Sequence, residues 1–178
     1  MRKLILGLSA VAVLTAATPA GAATMDRDLT IWGLAGYGHY GDAAGFGLGG
    51  RYQHVVMPQG ILHSASVRDE LGLEFGLDWA HYSWPYRGYD WTYNEVSPVV
   101  GLTWNFWLDE RLALYPKLDV GFRFGSWSGT AYPYGHPGGY GGPTVEGALG
   151  LVFRADPRIA LRLEAGSYAL RFGLAFKI

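Results

Sequence analysis

The sequence predicts an all-β chain that closes into an antiparallel, eight-stranded transmembrane β-barrel. Three observations predict it. From about residue 29 onward, apolar and polar residues alternate with a period of two, the side-chain period of a strand. In most of these segments one face is almost wholly Leu, Val, Phe, Trp and Ile, whereas the other carries ionised groups. Most segments also reach the ~9–11 residues that a tilted strand needs to cross a bilayer. Glycines scattered through the alternating segments argue against long helices and coiled coils.

The N-terminus reads as a leader. Arg2 and Lys3 precede the apolar run Leu4 to Leu14; Pro19 and the small residues Ala20-Gly21-Ala22 follow. This is the pattern of a cleaved signal peptide, and the apolar run is shorter than the ~18–20 residues of a spanning helix. The expected division is a signal peptide over residues 1–22 and a barrel domain over residues 23–178. Losing Arg2 and Lys3 reduces 14 basic residues to 12 against 15 acidic ones, a balance that does not suggest a nucleic-acid partner. With no cysteine in the chain, the fold owes nothing to disulfides and has no thiolate chemistry.

Each strand follows from its alternation. The first is predicted over 29–40, with Trp32 and Leu34 on one face, and Gly41-Asp42 offers a turn. The second, over 45–56, puts Phe46, Leu48, Tyr52, His54 and Val56 opposite Arg51 and Gln53. The third, over 68–82, sets Leu71 to Trp79 against Glu70, Glu74 and Asp78. The fourth, over 95–106, sets Val96 to Phe106 against Glu95, Ser97 and Asn105, and Leu108-Asp109-Glu110 turns the chain. The fifth, over 111–125, opposes Leu118, Val120 and Phe122 to Tyr115, Lys117, Asp119 and Arg123. The sixth, over 144–153, carries Glu146 on its polar face, and Asp156-Pro157 turns into the seventh. That strand, over 159–165, sets Leu161 and Leu163 against Arg162 and Glu164. The eighth, over 169–178, sets Leu170 to Ile178 against Arg171 and Lys177.

The character of the faces separates a membrane barrel from a soluble sandwich. A soluble sheet would solvate the charged face and bury the apolar one; a membrane barrel presents the apolar face to lipid and turns the charges inward. Leu73, Phe75, Val100, Leu118, Val120 and Leu174 are therefore expected to face lipid. The inward set is Arg51, Glu70, Glu74, Asp78, Glu95, Lys117, Asp119, Arg123, Glu146, Arg162, Glu164, Arg171 and Lys177, seven acids and six bases. Such near-equality predicts a lumen closed by charge pairing, since an eight-stranded barrel is just wide enough to be filled by side chains.

With both termini on the periplasmic side, the outer connections fall at 40–44, 81–94, 126–143 and 166–168, two of them long. The 81–94 segment contains Tyr86, Arg87, Tyr89 and Trp91, and the 126–143 segment contains Tyr132, Tyr134 and Tyr140. These are candidate surface-binding residues, because aromatics with Arg are common in binding surfaces; the competing reading is a wide interfacial girdle whose rings sit among headgroups. Trp32, Trp79, Tyr82, Trp104, Trp107 and Trp127 lie near predicted strand ends, which suits interfacial aromatic girdles.

The C-terminal strand Arg171-Phe172-Gly173-Leu174-Ala175-Phe176-Lys177-Ile178 resembles the terminal signal read by the barrel assembly machinery. With the alternating pattern of the whole mature chain, it resembles the small outer-membrane barrels of Gram-negative bacteria, the OmpA-like and OmpW-like group. Those proteins usually end in an aromatic residue, whereas this chain ends in Ile178. The resemblance implies residence in the bacterial outer membrane, contact with its lipid and lipopolysaccharide, insertion by the assembly machinery, and an extracellular ligand or protein on the long loops.

Chemistry is sparse. The five histidines show no close metal-ligand spacing, and no cofactor motif or catalytic constellation is present. His81-Tyr82-Ser83 invites comparison with outer-membrane lipid A hydrolases, but a triad is defined by geometry and not by adjacency. The expected function is a structural or surface-interaction barrel; the alternatives are a porin-like channel for small solutes and a lipid-modifying enzyme.

Overall fold

The computed structural model describes residues 27–37, 44–62, 67–86, 89–129 and 139–178. The expected leader, residues 1–22, lies outside them. Eight strands run in sequence: β1 Arg27–Tyr37, β2 Ala44–Met57, β3 Arg68–Tyr86, β4 Tyr89–Trp107, β5 Leu112–Gly129, β6 Tyr140–Arg154, β7 Ile159–Gly166 and β8 Ala169–Lys177. Each pairs antiparallel with its neighbour, and β1 closes on β8 with Gly33 opposite Phe172. Closure satisfies every strand edge within hydrocarbon, which an open sheet cannot do. No described helix is long and apolar enough to cross a membrane.

The alternation is realised as expected. Phe75, Val100, Leu118, Val120 and Leu174 point outward and are 40–53% exposed, with half-buried Leu73 in phase with them. Together with outward Leu48, Leu77, Leu149, Leu163 and Phe172 they form an apolar belt around the wall. On β3 this belt runs from Leu71 to Trp79. At roughly 3.3 Å per residue and a tilt near 40° it is close to the ~25 Å lipid-facing band of an outer-membrane barrel.

The register sets the shape. Leu29, Tyr52, Phe75, Val100, Val120 and Val145 share one hydrogen-bonded row. Followed around the wall, such a row climbs by about ten residues per circuit, the stagger that strand tilt imposes on a closed barrel. Given this stagger, the strand ends near the two termini lie level, but the opposite ends do not. β3, β4 and β5 have 19, 19 and 18 residues, whereas β7 and β8 have 8 and 9. The tops of β3–β5 therefore stand roughly 20–25 Å above those of β7 and β8.

This height corrects the predicted loops. Most of the 81–94 segment is strand: β3 and β4 stay in register up to the pair Tyr86 and Tyr89. Tyr140 lies in β6 opposite Gly125, and β5 continues to Gly129. The inside–outside asymmetry resides more in strand length than in loop length. Two turns at the terminal end are built alike. Asp109 Oδ1 accepts the N–H groups of Arg111 and Leu112 at 2.6 and 2.7 Å; Asp156 Oδ1 accepts those of Arg158 and Ile159 at 2.6 and 2.9 Å. These are side-chain-mimicked turns, the usual reason for Asp in such positions.

Four of the six aromatics expected in girdles point inward. Trp32, Tyr82 and Trp107 are buried in the lumen, and Trp127 packs on buried Tyr93 with ring centroids 4.6 Å apart. Trp79 and Trp104 face outward, in phase with the belt.

Candidate functional site: an ion-paired lumen

The inward faces of the strands supply polar and charged side chains, and neighbouring inward glycines leave room for the long ones. A Cβ at Gly76 would collide with the Arg51 side chain, and one at Gly150 with the Tyr115 ring. The centre of the lumen is a layer contributed by β1, β3, β5 and β7. Glu74 accepts from Arg162 Nη2 at 2.5 Å and from Lys117 Nζ at 3.0 Å. Lys117 also donates to Glu164 at 3.1 Å, and the Tyr115 hydroxyl donates to the same carboxylate at 2.7 Å. Arg162 Nη1 reaches Gln53 Oε1 at 3.0 Å and Thr30 Oγ1 at 3.2 Å. The indole of Trp32 lies among these cations, with Lys117 and Arg162 both 5.1 Å and Arg51 5.7 Å from its centroid.

Above this layer, Arg51 binds Asp78 through two hydrogen bonds of 2.7 and 2.6 Å. Arg171 binds Glu146 in the same bidentate manner at 2.9 and 2.7 Å, and contacts Asp78 at 3.5 Å. Asp119 joins the two tiers, 3.3 Å from Lys117 and 4.0 Å from Arg51. Below it, Arg162 lies 3.8 Å from Asp28. The ion pairs thus run without a break from Glu146 to Asp28. Fork-shaped guanidinium–carboxylate pairs are the stronger and more directional kind. In a dry interior they offset the large desolvation cost of each charge only because every cation meets more than one acid.

The structure brings most of the predicted inward residues together. Arg51, Glu74, Asp78, Lys117, Asp119, Glu146, Arg162, Glu164 and Arg171 form the connected network. Glu95 and Arg123 line the outer cavity with Tyr82 and Tyr168, and the Arg123 guanidinium lies 4.5 Å from the Tyr168 ring centroid. Glu70 pairs with Arg68 near the terminal end. Lys177 is in phase with Arg171 but sits exposed at the rim, so it is not a lumen residue. Arg154 stacks over Trp107 at 3.8 Å; it and Asp28 fall one residue beyond the predicted strands. Trp32 was missed because both faces of β1 are mostly apolar or small, so its alternation does not say which side is inward.

Among the described residues the lumen has a small cavity on each side of its central layer. One of about 30 Å³ lies toward the tall strands and is bounded by Asp78, Glu95, Asp119, Arg123 and Arg171. One of about 20 Å³ lies toward the termini and is bounded by Asp28, Gln53, Glu70, Trp107 and Arg162. Each has room for one or two waters. The fully buried layer of Trp32, Glu74, Tyr115, Arg162 and Glu164 fills the lumen between them.

The remaining sequence candidates stand apart. Arg87, Tyr132 and Tyr134 lie outside the described residues; Tyr86, Tyr89 and Trp91 lie in the upper β3–β4 hairpin, and Tyr140 at the start of β6. His81 Nδ1 lies 2.9 Å from Asn94 Oδ1. Asn94 faces His81 across the β3–β4 pair, and an amide can orient a histidine as a carboxylate does in a triad. No group of His and acidic residues suited to a metal ion occurs among the described residues.

A closed barrel of eight antiparallel strands, an apolar belt of bilayer height and an ionic interior define an outer-membrane-type, multi-pass β-barrel. No family model matches the chain, and no curated protein matches it by sequence. Among solved structures, it is similar to the attachment invasion locus protein of Yersinia pestis, determined in complex with the heparin analogue sucrose octasulfate. The TM-score is 0.53 at 14% identity, covering 84% of this chain and 94% of that one. It is also similar to Neisserial surface protein A, with a TM-score of 0.50 at 11% identity over 85% of this chain and 96% of that one. At these identities the likeness is one of fold.

Proposed function

We propose that this protein is a non-conducting barrel whose tall wall, β3 to β5, is a surface-interaction element. The observation that carries the reading is the height difference. A membrane span needs only ~9–11 residues, which β7 and β8 nearly match, yet β3 and β4 each have 19. The excess lies beyond the belt on one side of the barrel, and Trp84, Tyr86, Tyr89 and Trp91 belong to it by sequence.

The ligand class follows from charge. Between Tyr82 and Asn94 the only ionisable groups besides tyrosine are Arg87 and Asp90, and residues 126–143 contain no Lys, Arg, Asp or Glu. A neutral, aromatic surface suits sugars or a protein face, and gives a polysulfate such as the one bound to the Yersinia protein little to pair with. The leader over residues 1–22, insertion by the assembly machinery through β8, and a lipopolysaccharide surround complete the proposal.

The test has two arms. Planar-bilayer recording of the refolded chain should give no discrete openings; reproducible conductance steps would favour the porin-like alternative. Glycan-array and host-surface binding should be lost in the triple variant Tyr86→Ala, Tyr89→Ala, Trp91→Ala and should be insensitive to added heparin. Binding that heparin displaces, or that survives the triple substitution, would overturn the assignment of the ligand class or of the wall.

A further inference from the structure

Just below the belt, the outward face of β3 carries a charge. Asp69 is in phase with Leu71, Leu73 and Phe75 on the outward face of β3, on the side of the wall that meets lipid. It is nevertheless only 2% exposed. The turn after β2, residues Pro58 to Leu62, folds over it. Asp69 Oδ2 accepts the backbone N–H groups of Ile61 and Leu62 at 2.7 and 3.2 Å, and the indole N–H of outward Trp104 at 2.8 Å. Three neutral donors replace the water that a carboxylate at a membrane edge would otherwise need.

The sequence of the turn suits this close seat. A register shift at Val55 and Met57 aims the end of β2 toward the turn, and Gly60 N donates to Met57 O at 3.1 Å. Gly60 has φ +59°, and a Cβ there would run into the Asp69 carboxylate. Glycine is required twice over, for the left-handed backbone and for the approach. What the turn then presents is apolar: Ile61 and Leu62 are 51% and 50% exposed, next to Val56 and Met57 at 42% and 43%. Asp109 and Glu110, in the neighbouring turn at the same end, are exposed and charged.

We propose that the Pro58–Leu62 turn is a membrane foot. Asp69 clasps it to the outer face of the wall, and Ile61 and Leu62 enter the headgroup–acyl boundary of the periplasmic phospholipid leaflet. The occupant follows from continuity: the patch adjoins the lower edge of the apolar belt through Trp104 and Leu71, which face each other across β3 and β4. Interfacial aromatics and apolar side chains at that depth are the ordinary anchors of a membrane protein. The foot thereby covers a carboxylate that the barrel wall could not otherwise expose to lipid, and fixes the height of the β2–β3–β4 sector in the bilayer.

The chain has no cysteine, so one introduced thiol reports on one place. An environment-sensitive fluorophore on Ile61→Cys would be compared with the same label on Glu110→Cys, both refolded into dimyristoylphosphatidylcholine vesicles. The foot predicts blue-shifted emission for the first label, stronger quenching by lipids doxylated near the headgroup, and weaker quenching by iodide. Adding Gly60→Val should return the Ile61 label to the emission of the Glu110 label while gel mobility still reports a folded barrel; if that variant does not fold, Asp69→Ala carries the same comparison. An Ile61 label quenched by iodide as strongly as the Glu110 label overturns membrane insertion. A label that stays in lipid after the clasp is removed overturns the role of Asp69.

Discussion

The two sides of this barrel treat their interiors differently. The low wall, β7 and β8, has few inward positions, and three of them are the central ions Arg162, Glu164 and Arg171. The tall wall, β3 to β5, starts with ions at the same level, Glu74, Asp78, Lys117 and Asp119, but ends above them in buried Tyr82 and Tyr93 with Trp127 packed against them. At membrane height both walls solve one problem, apolar outside and ion-paired inside. Above it only the tall wall continues, and its lining changes from charge to aromatic rings. Strand length within the belt is thus a requirement of the bilayer. Length beyond it is free to serve something outside.

The largest expected effect falls on the low wall's hold at the centre. Arg162→Ala leaves Glu74 paired with Lys117 alone among the described residues, and Glu164 with Lys117 and the more distant Arg171, and should cost about 3–5 kcal/mol in urea unfolding from detergent or vesicles. In a double-mutant cycle Arg162 and Glu74 should couple more strongly than Arg123 and Glu95 at the outer cavity. Equal coupling in both pairs would mean that the centre is no more tightly held than the vestibule.

The next effect tests whether the belt is level around both walls. Leu118 on β5 and Leu163 on β7 face lipid and, by the register, lie at similar depth. Leu118→Arg and Leu163→Arg should each cost about 2–4 kcal/mol. A cost on one wall alone would mean that the barrel sits tilted, with the cheap side in water. The turns beneath the walls should matter less and alike: Asp109→Ala and Asp156→Ala each remove a two-bond acceptor and should lower stability by about 1 kcal/mol.

The smallest effect on stability should come from the hairpin proposed as the interaction element. Removing residues 84–91 and joining Ser83 to Thr92 through Asn-Gly shortens the tall wall without touching the belt or the ions. Unfolding free energy should change by less than about 0.5 kcal/mol, while surface binding is lost. A large loss of stability would show that the upper hairpin is part of the barrel's core.

The amino-acid order alone determined the eight strands, their antiparallel closure, the outward belt and the inward charges. Alternation carries that information wherever a strand separates two unlike surroundings, as Phe75 and Glu74 separate lipid from lumen. It fails where the two sides are alike, and is obscured where aliphatic residues are missing. Above the belt the residues still alternate, with Tyr82 and Tyr93 buried inward and Ser83 and Asn94 on the other face, yet 81–94 holds no Leu, Val or Ile and is broken by Pro85 and Gly88, so it read as a loop. In β1 both faces are apolar or small, so Trp32 read as an interfacial ring and not as the indole among three cations. Which acid meets which base, the slope of the wall tops and the seating of Asp69 under the Pro58–Leu62 turn were decided by the tertiary structure. They depend on register and stagger, which bring together residues as distant as Thr30 and Arg162, and no local pattern encodes that closure.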